Sequence, residues 1–222
     1  MTLLHLAGMV LILMTAGLGL VSLAAVITAL ARRRPRHALL IAGGYALWLA
    51  VHLGFVAVVS LGTPLRVLAP GEVKRFCGFY LDCHLGAAVV GRQRLAALDR
   101  LQPRGVFEVV AVEISSTARA ARLRPYGLRA ALVDRAGRRY EIDAVAEQRW
   151  EATHIEQPFE QTLDPGGAYR KDLVFDVPAE ARGLALDIRE RGLPDDVLEW
   201  LLPGDDDSFL HPPDLLALPP AP

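Results

Sequence analysis

The residues best equipped for chemistry are Cys77, Cys83 and His84, in the run Phe76-Cys77-Gly78-Phe79-Tyr80-Leu81-Asp82-Cys83-His84. These are the only two cysteines in 222 residues. Two thiols in an oxidising compartment pair most often as a disulfide. Closing so short a loop contributes about 2 kcal/mol in the chain-entropy picture. Geometry sets a condition. A straight strand from one cysteine to the other would hold the Cα atoms about 20 Å apart, whereas a disulfide needs about 4.4–6.8 Å. The chain must fold back between them, and Gly78 is the residue best able to allow it. The alternative is a copper or zinc site, because thiolates beside an imidazole suit Cu(I) or Zn. His154 or His211 would then complete the ligand set. The spacing is neither that of a paired zinc knuckle nor that of a thioredoxin-like dithiol. A Cys77–Cys83 disulfide is therefore the expectation.

Other candidates are weaker. Asp205-Asp206-Asp207 lacks the spaced ligands and distal Glu of a calcium loop, so a solvated acidic turn is expected. No nucleophile elbow surrounds Ser115-Ser116. No phosphate-cradling or dinucleotide glycine loop is present. Trp150 and Trp200 are expected to pack in or at the edge of a core. No catalytic residue is assigned, and a non-enzymatic protein is expected.

The compartment follows from the elements that come first. Leu3–Ala31 and Ala38–Leu61 contain no Asp, Glu, Lys or Arg. Each exceeds the roughly 20 apolar residues that cross a bilayer as a helix. Arg32, Arg33, Arg34 and Arg36 lie between them, with Pro35 expected to break the helix. A cleaved signal peptide carries its charge before a shorter apolar run, so the first run reads as a retained helix. Short arginine-rich loops stay in the cytoplasm. That puts the 32–37 loop inside and everything after Leu61 outside, in a multi-pass inner-membrane protein whose C-terminal domain is extracytoplasmic or periplasmic. His52 falls within the second span. It reads either as a functional intramembrane group or as a neutral imidazole bonded to a hydroxyl or carbonyl. His5 lies about 13 Å away along the helix axis, too far out of register to share a haem with it.

All 25 acidic residues and 20 of the 24 basic ones lie beyond residue 61, giving that part a net charge of about −5. A nucleic-acid binder would show a basic balance instead. The expected partners are the lipid bilayer and an envelope or membrane protein.

Beyond the spans the chain reads as strands. Residues 62–72 read as a linker. Strands are expected over Phe79–Val90, Val106–Ile114, Tyr126–Val133, Arg138–Ile142, Phe159–Leu163, Tyr169–Val177 and Leu184–Ile188. Ala144–Glu151 reads as a short helix or loop, and Leu198–Leu202 as a strand or helical turn. Residues 212–222 read as a Pro-rich tail with a mobile end. Short strands at this spacing, without crossover helices, predict an all-β antiparallel sandwich over residues 73–211.

The runs Leu132-Val133-Asp134-Arg135-Ala136-Gly137-Arg138-Arg139-Tyr140 and Leu163 to Pro178, with the Val106–Ile114 strand, carry a resemblance. They resemble a bacterial family of exported, lipid- or membrane-anchored domains of unknown function, related to a secreted mycobacterial antigen. The resemblance covers roughly residues 73–190 and implies an immunoglobulin-like β-sandwich. It implies no catalytic residues. The two-helix anchor and the Cys77–His84 cluster are departures from it.

Overall fold

The computed structural model describes residues 3–76, 83–192, 195–204 and 208–221. They form two compact units, one of residues 1–64 with 196–212, the other of 65–195 with 213–222.

The first unit is built on α1 (Leu3–Ala31) and α2 (Pro35–Gly62). Both are long and apolar enough to cross a membrane. Only 11% of the residues in the most apolar window of each are buried, which separates them from the core helices of a soluble domain. Leu20, Leu39, Leu40 and Val58 are each more than 70% exposed. Pro35 does not break a helix. It opens α2 from its first turn, where a missing N–H costs nothing and φ is already helical. The loop thus shortens to Arg32–Arg34, closed by Arg34 N donating to Ala29 O at 2.8 Å, with Arg33 at φ 54°. The helices approach closely at Gly19, where a Cβ would lie 2.6 Å from the Tyr45 hydroxyl. The chain returns to this unit near its end, through α4 (Asp195–Trp200) and the turn that follows.

The second unit has two sheets. One orders β2 (Lys74–Phe76), β3 (Leu85–Leu95), β4 (Val106–Ser116) and β7 (Ala168–Val177), all antiparallel. The other orders β1 (Val67–Leu68), β9 (Leu215–Ala217), β8 (Ala185–Arg189), β5 (Arg129–Val133) and β6 (Arg139–Glu141). Both sheets feed one hydrophobic core, in which Val110, Val112, Ile114, Leu173 and Phe175 meet Leu132, Leu186, Ile188 and Leu216. Helix α3 (Ala144–Glu151) begins where Asp143 accepts hydrogen bonds from the N–H groups of Val145 and Ala146, satisfying two orphan donors. Ala146 and Trp150, one turn apart, then join Phe107, Val109 and Val174 in a second cluster.

Several expectations need correction. The linker carries β1 and the tail carries β9, and these two pair in parallel. The second sheet is therefore mixed rather than all antiparallel. Leu216 is the reason, since it is buried, pairs with Leu186 of β8 and joins the shared core. Phe159–Leu163 forms no strand, only a bridge from Leu163 to Leu123. The third strand starts at Arg129, not Tyr126, because Gly127 takes a positive φ of 61°. Leu198–Leu202 resolves into the end of α4 and a turn, and residues 196–212 belong with the hairpin rather than with the sheets. The first half of the expected Phe79–Val90 strand lies outside the described residues.

Candidate functional site

Three groups of polar side chains stand out, and the first two include residues singled out from the sequence as candidates for chemistry. Cys77 and the acidic run Asp205–Asp207 lie outside the described residues. Cys83 is not a free thiol. His84 Nδ1 sits 3.1 Å from Thr117 Oγ1, and the His84 carbonyl accepts from the Thr117 N–H at 2.8 Å. Its ring is thus tied to the end of β4. His154 stacks on Trp150, with centroids 3.7 Å apart and planes 8° from parallel. No group of three or more potential metal ligands occurs among the described residues. Arg32, Arg33, Arg34 and Arg36 are all exposed at the turn between α1 and α2.

The second group lies in the hairpin. His52 is 3% exposed. Its Nε2 is 3.1 Å from the Leu201 carbonyl, which can only accept. In the neutral ring that places the proton on Nε2 and leaves Nδ1 to accept. Thr15 Oγ1, 2.7 Å away, donates to Nδ1 and in turn accepts from Trp48 Nε1 at 3.0 Å. The Tyr45 hydroxyl donates to the Thr15 carbonyl at 3.2 Å. Of the two sequence readings of His52, this is the bonded imidazole, with the hydroxyl supplied by the partner helix. Ser60 and Ser208 make a second tie at 3.0 Å. The residues 196–212 are therefore fastened to α2 at two levels.

The third group lies in the sheet unit, where every deeply buried charge has partners. Glu108 is fully buried, and both oxygens are taken by Arg92 (2.8 Å each) and Arg94 (2.7 Å). Lys171, 1% exposed, faces Glu147, Glu151 and Glu156. Burial raises the Glu147 carboxyl above its ordinary value, and Lys171 opposes that rise. Asp134 would be raised by desolvation. The N–H groups of Arg138 and Ala136, the Arg138 guanidinium and the Tyr140 hydroxyl outweigh that and bring it down to about 2.

One such charge sits in a concave site. Asp187, 1% exposed, receives Arg189 through Nε (2.8 Å) and Nη2 (3.0 Å), and Arg139 through Nη1 (2.7 Å). Burial would raise this carboxyl, but the two guanidinium groups hold it below its usual value. Around it is a cavity of about 300 Å³ lined by Arg129, Arg139, Asp187, Arg189 and Arg191. Strand alternation puts Asp187 and Arg189 on the face opposite the buried Leu186 and Ile188. Antiparallel pairing sets Arg129 directly across from Arg189. Gly127 brings in Arg191. A Cβ there would lie 1.7 Å from the Arg191 carbonyl, and Arg191 N donates to Gly127 O at 3.1 Å. Sequence reading missed this site, because its members come from three strands and a loop. The available signal was the Asp-x-Arg spacing in a strand otherwise apolar.

No protein-family model and no curated protein sequence matches this chain. Several solved structures align with it. The yjhA protein from Bacillus subtilis does so at 12% identity and a TM-score of 0.40, over 69% of this chain and 100% of that one. The secreted protein MPT63 from Mycobacterium tuberculosis gives 15% and 0.42, over 59% and 99%. A conserved hypothetical protein from Bacillus anthracis gives 17% and 0.36, over 53% and 92%.

Proposed function

We propose that this chain is a membrane-anchored, non-enzymatic accessory protein of the bacterial envelope. The hairpin spans the inner membrane twice, and an immunoglobulin-like sandwich lies on the extracytoplasmic side, where it meets an envelope or membrane protein. The observation that carries this reading is the exposure of the two apolar helices. Most of their large side chains are left exposed, and a bilayer is the solvent that removes that surface from water. The exposed arginines at the turn set the direction, since short basic loops remain cytoplasmic. In that compartment Cys77 and Cys83 form a disulfide, which agrees with Cys83 not being a free thiol.

The test uses the full chain in native membranes and then purified in detergent without reductant. Resistance to alkaline carbonate extraction, no titratable thiol and no stoichiometric copper or zinc are expected. Release by carbonate overturns the anchor. Two free thiols with bound metal would favour instead a metal-handling protein built on Cys77, Cys83 and His84.

A further inference from the structure

We propose that residues 196–212 form a re-entrant segment in the outer leaflet of the inner membrane, with His52 holding its tip at hydrocarbon depth. This rests on α1 and α2 spanning the bilayer with the arginine turn inside. Helix α2 has 28 residues and is about 42 Å long, so a hydrocarbon layer of about 30 Å leaves about 12 Å of it in the headgroup regions. His52 lies ten residues before Gly62, about 15 Å from that end of the helix. Even if all of the remainder stood at the outer end, His52 would be inside the hydrocarbon. Arg36, exposed in the first turn of α2, keeps part of the remainder on the cytoplasmic side, and tilt shortens it. The Leu201 carbonyl, 3.1 Å from His52 Nε2, shares that depth.

Backbone that leaves a helix at such a depth must find its partners in protein, because no water reaches it. This segment does. His52 Nε2 donates to the Leu201 carbonyl, the Phe209 N–H to the Trp200 carbonyl and the Leu202 N–H to the Glu199 carbonyl, the last two at 2.9 Å. An ionisable residue within a span is costly, and pairing this carbonyl gives His52 its reason. Leu202 and Pro203 are buried, and a Cβ at Gly8 of α1 would lie 3.0 Å from the first and 3.1 Å from the second. Ser208, also buried, pairs with Ser60 near the end of α2, at headgroup level. Three large apolar side chains, Val197, Trp200 and Leu210, are left exposed, and Trp200 packs on Phe209 with ring centroids 4.8 Å apart. Fastened at the levels of His52 and Ser60, they add to the exposed apolar surface of the hairpin, in the zone where Trp is favoured. Glu199 is buried and sets no carboxylate against lipid. Lipid, and not water, is therefore the cover that this surface fits.

The experiment reconstitutes the full chain in phosphatidylethanolamine–phosphatidylglycerol vesicles whose acyl chains carry bromine, a short-range quencher of indole emission. The contributions of Trp200 and Trp48 are isolated by subtracting the emission of Trp200→Phe or Trp48→Phe. Trp48 lies in α2 and reports the anchor alone. Both are expected to lose at least half of their emission. Trp200 should lose more with bromine near the glycerol end of the acyl chain than with bromine near its methyl end. His52→Leu keeps the span apolar and removes the donor. It should give back at least half of the Trp200 loss and leave Trp48 quenched. Trp48 quenched with Trp200 unquenched overturns the proposal and leaves the anchor standing. Neither quenched overturns the anchor, and the segment with it. Trp200 quenched as strongly in His52→Leu as in the parent also overturns the proposal, since His52 would not be what holds the tip.

Discussion

The hairpin and the sheet unit handle polar groups in opposite ways. In the hairpin, apolar side chains face outward, and the buried polar groups include no Asp, Glu, Lys or Arg: Thr15 and His52 are joined in a knot with Trp48, and Ser60 pairs with Ser208. In the sheet unit, apolar side chains face a shared core, and the full charges of Glu108, Asp187 and Lys171 are buried against opposite ones. The contrast agrees with the surroundings proposed for each. A helix in hydrocarbon tolerates a neutral hydrogen-bonded group far better than a charge. A domain in water can bury a carboxylate if guanidinium groups replace its hydration.

The strongest way to break the comparison is Glu108→Ala. Removing the one anion between Arg92 and Arg94 should destabilise the sheet unit by about 3 kcal/mol, read as a lowered thermal midpoint. A loss near zero would mean that the buried charge is not held as described. Next is Lys171→Met, which leaves three glutamates without their cation, at a cost of about 2 kcal/mol. The Glu147 carboxyl, already raised, should rise further. A carboxyl whose folded value exceeds its unfolded one loses stability as pH climbs from the unfolded value through the folded one. Melting of the variant should therefore fall above the usual glutamate range, more steeply than in the parent.

In the hairpin, Thr15→Val removes a single hydroxyl and should cost about 1 kcal/mol. Its sharper readout is faster amide exchange at Leu201 and Leu202, the residues fastened through His52. Unchanged exchange there would show that the knot does not hold this segment. The smallest effect is expected from Asp134→Asn, which keeps the turn and loses the charge. Asp134 titrates at about 2 in the fold against an ordinary 3.8. Its contribution is fully present above the ordinary value and is lost as pH falls through the folded one. Acid melting curves of the parent should bend down in that window, and those of the variant should be flatter.

The hairpin was legible from the sequence because absence of charge over a whole span is a signal that needs no partner. Strands β4, β7 and β8 were legible for a related reason, each carrying its own apolar pattern. The short strands β1 and β9 were not. Val67-Leu68 and Leu215-Leu216 are too brief to show a period, and only their mutual pairing makes them strands. Pro35 was misread because its effect depends on whether it enters or interrupts a helix. The charged clusters were illegible for a deeper reason. Glu108 with Arg92, and Asp187 with Arg139, are joined by register, which spacing along the chain does not encode.

The most direct test of the proposed double-spanning hairpin is protease added to intact cells stripped of any outer barrier. We expect the sheet unit to be digested from outside while the arginine turn survives. Digestion of the sheet unit only after the inner membrane is breached would contradict the proposed orientation and, with it, the proposed oxidised cysteine pair.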